Sequence, residues 1–298
     1  MAQITELQRP LRLKQTHTVN ALKTISSLAL AAALAAGACA ASAQQSFYGQ
    51  FRAHNADMTA VQPSWMGPLI QPDARLAQAA RFSVANQRAP GEHIFIYGGN
   101  HGISTIIGNR VQWDLDPPSY FRNHSAAFKD GFGNAATQLK YRIASGNAEH
   151  GNFALTAITS YGFAPRAYEN FMLTSYFDPK IAAGIARGRF NVQSTFGALL
   201  PTGKIAQQGR IIEWNVTAQV HPTAHTWFDV ENNTAFIKGS PYDGQTQNFI
   251  TPAAFYMIRR KSWESSHPVL VLDGGMQVAT SHFSFYNHNL ITEARILF

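Results

Sequence analysis

The stretch IIEWNVTAQV, residues 211–220, changes between apolar and polar side chains at almost every step. Ile212, Trp214, Val216, Ala218 and Val220 share one parity; Glu213, Asn215, Thr217 and Gln219 share the other. Successive side chains of an extended chain point to opposite faces, so this period makes one face apolar and the other polar. The same period recurs along the chain. Thr137, Leu139, Tyr141 and Ile143 oppose Gln138, Lys140 and Arg142. Phe153, Leu155, Ala157, Thr159 and Tyr161 oppose Asn152, Ala154, Thr156, Ile158 and Ser160. Phe190, Val192 and Phe196 oppose Arg189, Asn191, Gln193 and Thr195, and Leu270, Leu272, Met276 and Val278 oppose Asp273 and Gln277.

The pattern predicts about twelve strands, near residues 76–86, 92–98, 103–113, 134–145, 151–162, 180–187, 189–199, 211–221, 224–236, 248–260, 268–280 and 289–298. Pro252 sits awkwardly within the tenth, since proline lacks the donor a paired strand uses. No amphipathic helix longer than two turns is expected beyond residue 43. The connections alternate in length from the second strand on. Residues 99–102, 145–151, 187–188 and 221–223 are short gaps; 114–133, 163–179, 200–210 and 237–248 are long ones.

A soluble sandwich, the main alternative, has no reason to segregate short and long turns. A membrane barrel does, with short turns at one end and long loops at the other. Hydrocarbon also demands that every backbone polar group be paired within the protein, which for strands means closure. The fold class expected is therefore all-β: an antiparallel transmembrane β-barrel of about twelve strands over 76–298. A charged fraction of 14%, against a typical quarter, agrees with a surface largely in contact with lipid. The polar faces carry both signs, and Lys140, Arg142, Arg189, Glu213, Asp229, Asp273, Glu293 and Arg295 are the lumen-facing candidates. Turned to lipid at mid-depth, a Lys or Arg would cost about 2–4 kcal/mol.

Residues 1–43 read as a cleaved signal peptide: Lys23 closes a basic region, Leu28–Ala36 is a short apolar core, and Ala41-Ser42-Ala43 is the cleavage site. The apolar run is shorter than a membrane-spanning helix needs. A lipoprotein cleavage before Cys39 is the weaker reading, because Ala36 stands where such sites carry Leu. Cys39 is the single cysteine, so the mature chain has no disulfide and no thiolate site. Of the net charge of +7, about +3 belongs to this segment, and no Lys/Arg run remains to bind nucleic acid. Residues 44–75, broken by Pro63, Pro68 and Pro72, form an N-terminal arm or plug; Trp65, Met66 and Leu69 favour packing in the lumen.

No cofactor or metal site is expected, for the eleven histidines form no ligand spacing. His282, Ser284, Asn287 and His288 are the one group that could be cast as a lipid hydrolase on the barrel rim. A ring-rich interfacial loop is the better account of them.

Two resemblances add to this reading. Leu290, Thr292, Ala294, Ile296 and the final Phe298 share one face, which resembles the recognition strand that barrel-assembly machinery reads in Gram-negative outer membranes. That resemblance implies an assembly signal at Phe298, Ile296 and Ala294, with outer-membrane lipid and the assembly machinery as partners. Over most of residues 60–298, the segments QPSWMGPL, DGFGNAATQLKYR, FNVQSTFGALLPTGK, DGQTQNFITPA and MQVATSHFSFYNHNLITEARILF resemble an uncharacterised Gram-negative family. It is grouped with barrels named for the meta-pathway of phenol degradation. The resemblance implies an outer-membrane channel or transporter for a small, hydrophobic or aromatic molecule, and supplies no catalytic residue. A lipid-modifying barrel enzyme, or a structural or adhesion barrel using 114–133 and 163–179, is the alternative.

Overall fold

The computed structural model describes residues 41–99, 102–124, 129–164, 174–258 and 268–298, with the backbone alone for 41–48. The expected signal segment, with Cys39, lies outside the described residues except for its last three positions. The chain divides into two compact units, residues 1–51 and 52–298, and the barrel belongs to the second.

A helix not anticipated from the sequence, α1 (Ala41–Ala60), precedes the strands. Its residues are fair helix formers, but they lay no apolar stripe along one face, so periodicity gave no sign of it. Pro63 follows soon after and cannot continue it.

Fifteen strand segments follow. They are β1 (Ala79–Ala89), β2 (Glu92–Tyr97), β3 (Ile103–Ile106), β4 (Val111–Asp116) and β5 (Tyr120–Asn123). Next come β6 (Gly131–Phe132), β7 (Ala135–Gly146), β8 (Phe153–Phe163), β9 (Tyr176–Arg187) and β10 (Phe190–Pro201). The last are β11 (Arg210–Val220), β12 (Thr226–Lys238), β13 (Thr246–Ile258), β14 (Val269–Ala279) and β15 (His288–Leu297). All pairings are antiparallel, and β15 pairs with β1 from Ala79↔Leu297 to Arg88↔His288, which closes the ring.

Twelve staves result, because three are each broken in two. β2 and β3 lie end to end along β1, β4 and β5 form the next stave, and β6 runs into β7. This corrects the expected turn at 99–102, which is a break within a stave; the turn is at 107–110. The long gap expected at 114–133 shrinks to 124–130, since β4 and β5 extend across most of it. The two-residue turn at 90–91 and the connection at 259–268 depart from the alternation of short and long connections, which otherwise holds.

Proline marks the other irregularities. Pro252 pairs with Val230 of β12, while its ladder to β14 skips from Ile250↔Val278 to Ala253↔Gly275. Pro179 pairs with Thr159 of β8, and its ladder to β10 skips from Lys180↔Gly197 to Phe177↔Leu200. Each proline thus turns its missing donor toward a two-residue gap instead of breaking the strand.

Burial follows the alternation and is inside out. Phe196 is 60% exposed, whereas Thr195 beside it is 1% exposed. Phe82, Ile181, Trp214, Val230 and Leu272 likewise lie on the outer surface, while Gln193, Thr217 and Glu231 are buried within. Rings gather toward the rim at the long-loop end, where Tyr161 meets Phe163 and Phe177 at 4.8 and 4.9 Å between centroids. On β12 and β13 the apolar belt stops at Asn232, Thr234 and Asn248, which hydrogen-bond one another on the outer face at 2.7–3.3 Å. The exterior is thus built for hydrocarbon bounded by polar headgroups.

Ile181→Arg, placed mid-strand on the outer face between Ala157 and Phe196, is expected to destabilise the lipid-inserted barrel by about 2–4 kcal/mol. A urea titration of folding into lipid vesicles, read on a gel by the faster migration of the unboiled barrel, measures the loss.

Candidate functional site

The interior is filled by the chain's own residues 61–78. A loop buried in this way carries backbone N–H and C=O groups with no ladder to satisfy them, at about 1–3 kcal/mol for each one left unpaired. Here the inward side chains of the strands supply the partners.

At the neck of the loop, Gln62 donates from Nε2 to the Leu76 carbonyl at 2.5 Å and accepts from the Leu76 N–H at 3.0 Å. The helix end beside it is held by Arg142, Ser145 and Asn147, which donate to the carbonyls of Met58, Val61 and Ala60 at 3.0, 2.7 and 3.0 Å. A cation at a helix C-terminus is favourable for the same reason that its carbonyls need partners.

Deeper in, the chemistry sorts by sign. Glu231 accepts three consecutive backbone N–H groups, from Leu69 at 2.5 Å, Ile70 at 2.9 Å and Gln71 at 3.0 Å. Arg295 donates to the carbonyls of Gly67 and Pro68 at 2.7 and 3.1 Å, and Arg81 to those of Pro68 and Leu69 at 3.3 and 3.4 Å. Lys140 donates to the carbonyls of Asp73 and Arg75 at 2.9 and 3.3 Å. Gln219 and Gln112 accept from the Met66 and Ala77 N–H groups at 3.1 and 2.6 Å. A wall carboxylate and wall amides take the loop's donors, and wall cations take its acceptors.

The loop's apolar side chains sit in seats cut by small residues. Trp65 packs with Ala74, Ala154, Ile158 and Ala182; Met66 and Leu69 pack with Ala85, Trp227, Ala253, Phe255, Val271 and Ile291. A Cβ on Gly184 would stand 2.9 Å from the Trp65 ring, and one on Gly275 would stand 2.8 Å from Leu69 Cδ2. Asp73 holds Arg75 through Nη2 at 2.8 Å, and the Trp65 indole donates to Asp73 at 3.3 Å. Burial opposes ionisation of Asp73, but the charge and hydrogen bonds of Arg75, with Lys140 nearby, outweigh it and hold its carboxyl below the usual range.

The eight charged candidates fall into three groups. Lys140, Arg142, Asp229, Asp273, Glu293 and Arg295 are buried in the interior. Arg295 lies 2.7 Å from both Asp273 and Glu293, and Arg81 lies 2.5 Å from Glu293, so charge pairs staple the closing seam. Glu213 is half-buried and bridges to Lys180 at 2.5 Å, which also holds Asp178 at 2.8 Å. Arg189 is elsewhere: it is exposed in the turn after β9 and donates to the Pro222 carbonyl at 3.1 Å. The alternation breaks at that turn, so the parity that assigned Arg189 to the lumen no longer applied.

Glu231, Gln193, Gln219 and Arg81 were not among the candidates, although Glu231 shares the parity of Asp229 and was within reach of the same argument. Among the described residues, no hydrogen bond joins Ser284 to His282 or His288, and the loop at 280–287 instead packs rings, Phe283 against Phe285 at 5.2 Å. Ile296 and Phe298 are exposed on the outer face and Ala294 is half-buried there, with the Phe298 N–H bonded to the Gln78 carbonyl at 3.1 Å.

No protein-family model and no curated protein sequence matches the chain. Among solved structures it is similar to the NanC porin, with a TM-score of 0.49, 6% identity, and coverage of 73% of this chain and 98% of that one. It is also similar to an outer-membrane channel of Pseudomonas putida F1, with a TM-score of 0.45, 12% identity, and coverage of 78% and 100%. OccK11 of Pseudomonas aeruginosa matches with a TM-score of 0.33, 10% identity, and coverage of 80% and 73%. Likeness at this level says nothing of what passes through a lumen.

Gly184→Val removes the seat of Trp65 without touching a charge, and is expected to expel residues 61–78 while the barrel stays closed. Proteolysis within 61–78, rising several-fold with an unchanged heat-shifted gel band, would register this. Protonation supplies a second prediction. With its pKa depressed in the seated loop, Asp73 contributes stability that is present above its free value of about 4 and lost as pH falls through the lower, bound value. Proteolysis of the loop should therefore increase below about pH 4, and Asp73→Asn should weaken seating at neutral pH and flatten that step.

Proposed function

We propose that this protein is an outer-membrane channel for a small molecule, held closed in this conformation by residues 61–78 as an internal plug. The observation that carries the reading is the way the plug is held. Its backbone groups are satisfied by wall side chains, not by regular structure of its own, so the wall is polar and ready for water once the plug leaves. A segment meant only to fill a core would be apolar and would leave the wall apolar too.

The outer membrane is supported by the closed barrel with its apolar coat and by the orientation that loop lengths imply. The turns at 107–110, 147–152, 188–189 and 221–225 share one end with Leu297, and the loops at 164–175, 202–209, 239–245 and 280–287 share the other. Short turns face the periplasm in such barrels, so the plug enters from the periplasmic side and the long loops face outward. Phe298, Ile296 and Ala294 would then serve as the assembly signal, and residues 1–43 as the export signal.

The resemblance to barrels of phenol degradation supports a hydrophobic or aromatic solute. A cavity of about 180 Å³ beside the plug is lined by Trp65, Trp227, His221, Ser64, Asn152 and Asn191, a mixture of rings and polar tips suited to one small ring. No contact in the 280–287 loop favours the lipid-enzyme alternative.

Purified protein in planar bilayers tests the reading. The full chain should conduct rarely, and deletion of residues 61–75 should raise conductance at least several-fold. Equal conductance with and without the segment would show that it is not a plug.

A further inference from the structure

One face of the lumen has donors and charges that the channel reading does not use. On β12, the residues Trp227, Asp229 and Glu231 follow at period 2 and are all buried inward, at 7, 3 and 0% exposure. Two carboxylates and an indole thus run in line down one stave. Among the described residues, neither carboxylate has a cation within ion-pairing distance. The two cations of the neighbouring seam, Arg81 and Arg295, pair with Glu293 and Asp273 instead.

The two carboxylates are treated differently. Glu231 is filled by three plug N–H groups. Neither Asp229 oxygen has a partner at hydrogen-bonding distance and angle, the nearest donor being the Gln219 side-chain amide beside it, and close by on the same face the Trp227 Nε1–H and the Thr251 hydroxyl also have no partner. Thr251 lies directly across from Glu231, and Gln219, whose Nε2 is unpartnered as well, lies across from Asp229. A buried carboxylate with both oxygens unused is costly, and native proteins keep such a group where something else satisfies it.

We propose that the inward face of β12, Asp229 and Glu231 with the Trp227 ring, is a recognition site for small solutes bearing an ammonium or guanidinium group. The inference rests on the channel reading and gives its solute a charge. An ammonium offers N–H donors and positive charge together, which is what two carboxylates without an ion-pair partner, beside an indole, select. In the closed state the plug imitates half of such a ligand. Leu69, Ile70 and Gln71 present three N–H groups to Glu231 without the charge, and Asp229 is left unanswered. A solute that carries the charge therefore competes with the plug for Glu231 and also satisfies Asp229. The cavity lined by Trp65 and Trp227 gives it a foothold two residues along the same stave.

Reversal potentials in a KCl gradient, measured in the Gly184→Val background, test the site; that substitution unseats the plug and changes no charge. Potassium should permeate several-fold better than chloride, and millimolar guanidinium, which carries N–H donors with its charge, should block the current. Asp229→Asn and Glu231→Gln, near in size to the native residues, should each reduce both the preference and the block, and either alone suffices if the other fails to assemble. A heat-shifted gel band confirms folding. A conducting channel with no cation preference, or one whose preference and block survive both substitutions, overturns the site and leaves the channel standing. A folded barrel that passes no current with its plug unseated overturns both.

Discussion

Closure of the sheet on itself is the condition from which the rest of this structure follows. In hydrocarbon a free strand edge is not tolerated, so β1 and β15 must meet, and they do so over ten consecutive pairs. Once the ring is closed, period-2 alternation sends every second side chain to lipid and every other one to the lumen. The outward set is therefore Phe, Ile, Val, Leu and Trp, and the inward set is Gln, Thr, Asn and charge. The seam itself is stapled from inside by Arg81, Glu293, Arg295 and Asp273. Removing one member of such a buried group costs more than the group adds, because it leaves an uncompensated charge.

A polar interior of this kind could not be dry and empty. Residues 61–78 fill it, and the fit is chemical before it is steric. Carbonyls of the loop meet Arg81, Lys140 and Arg295, its N–H groups meet Glu231, Gln219 and Gln112, and its few apolar side chains sit over Gly184 and Gly275. The same side chains would face water if the loop withdrew. That double competence is what the proposed plug requires and what an apolar core would lack. It also leaves the lumen locally uneven in charge, since among the described residues the two carboxylates of β12 have no cation at ion-pairing distance.

Much of the wall was legible in the sequence, because alternation is a local property that survives any tertiary context. IIEWNVTAQV, ATQLKYRIA and FNVQSTFG all lie in strands with the facing their parity predicted. What failed was whatever depends on more than one segment. The breaks within residues 92–106 and 111–123 come from pairing along two neighbours at once, which no single stretch records. Arg189 was misplaced because parity does not carry through a two-residue turn. Helix α1 was missed because helices can form on propensity without an apolar stripe. Pro252 was rightly suspected of disturbing a ladder, but only the pairing shows that one side of the strand absorbs the cost.

The sequence by itself determined that this chain makes amphipathic strands of membrane-spanning length, and hence a barrel with a wet inside. These are consequences of side-chain order, spacing and the solvent on each face. The tertiary structure decided what fills the inside. That Glu231 captures the backbone of Leu69, Ile70 and Gln71 depends on residues 160 to 162 positions apart meeting within 3 Å. Such a meeting is fixed by closure and register, which are properties of the whole ring and are written in no local stretch of the chain.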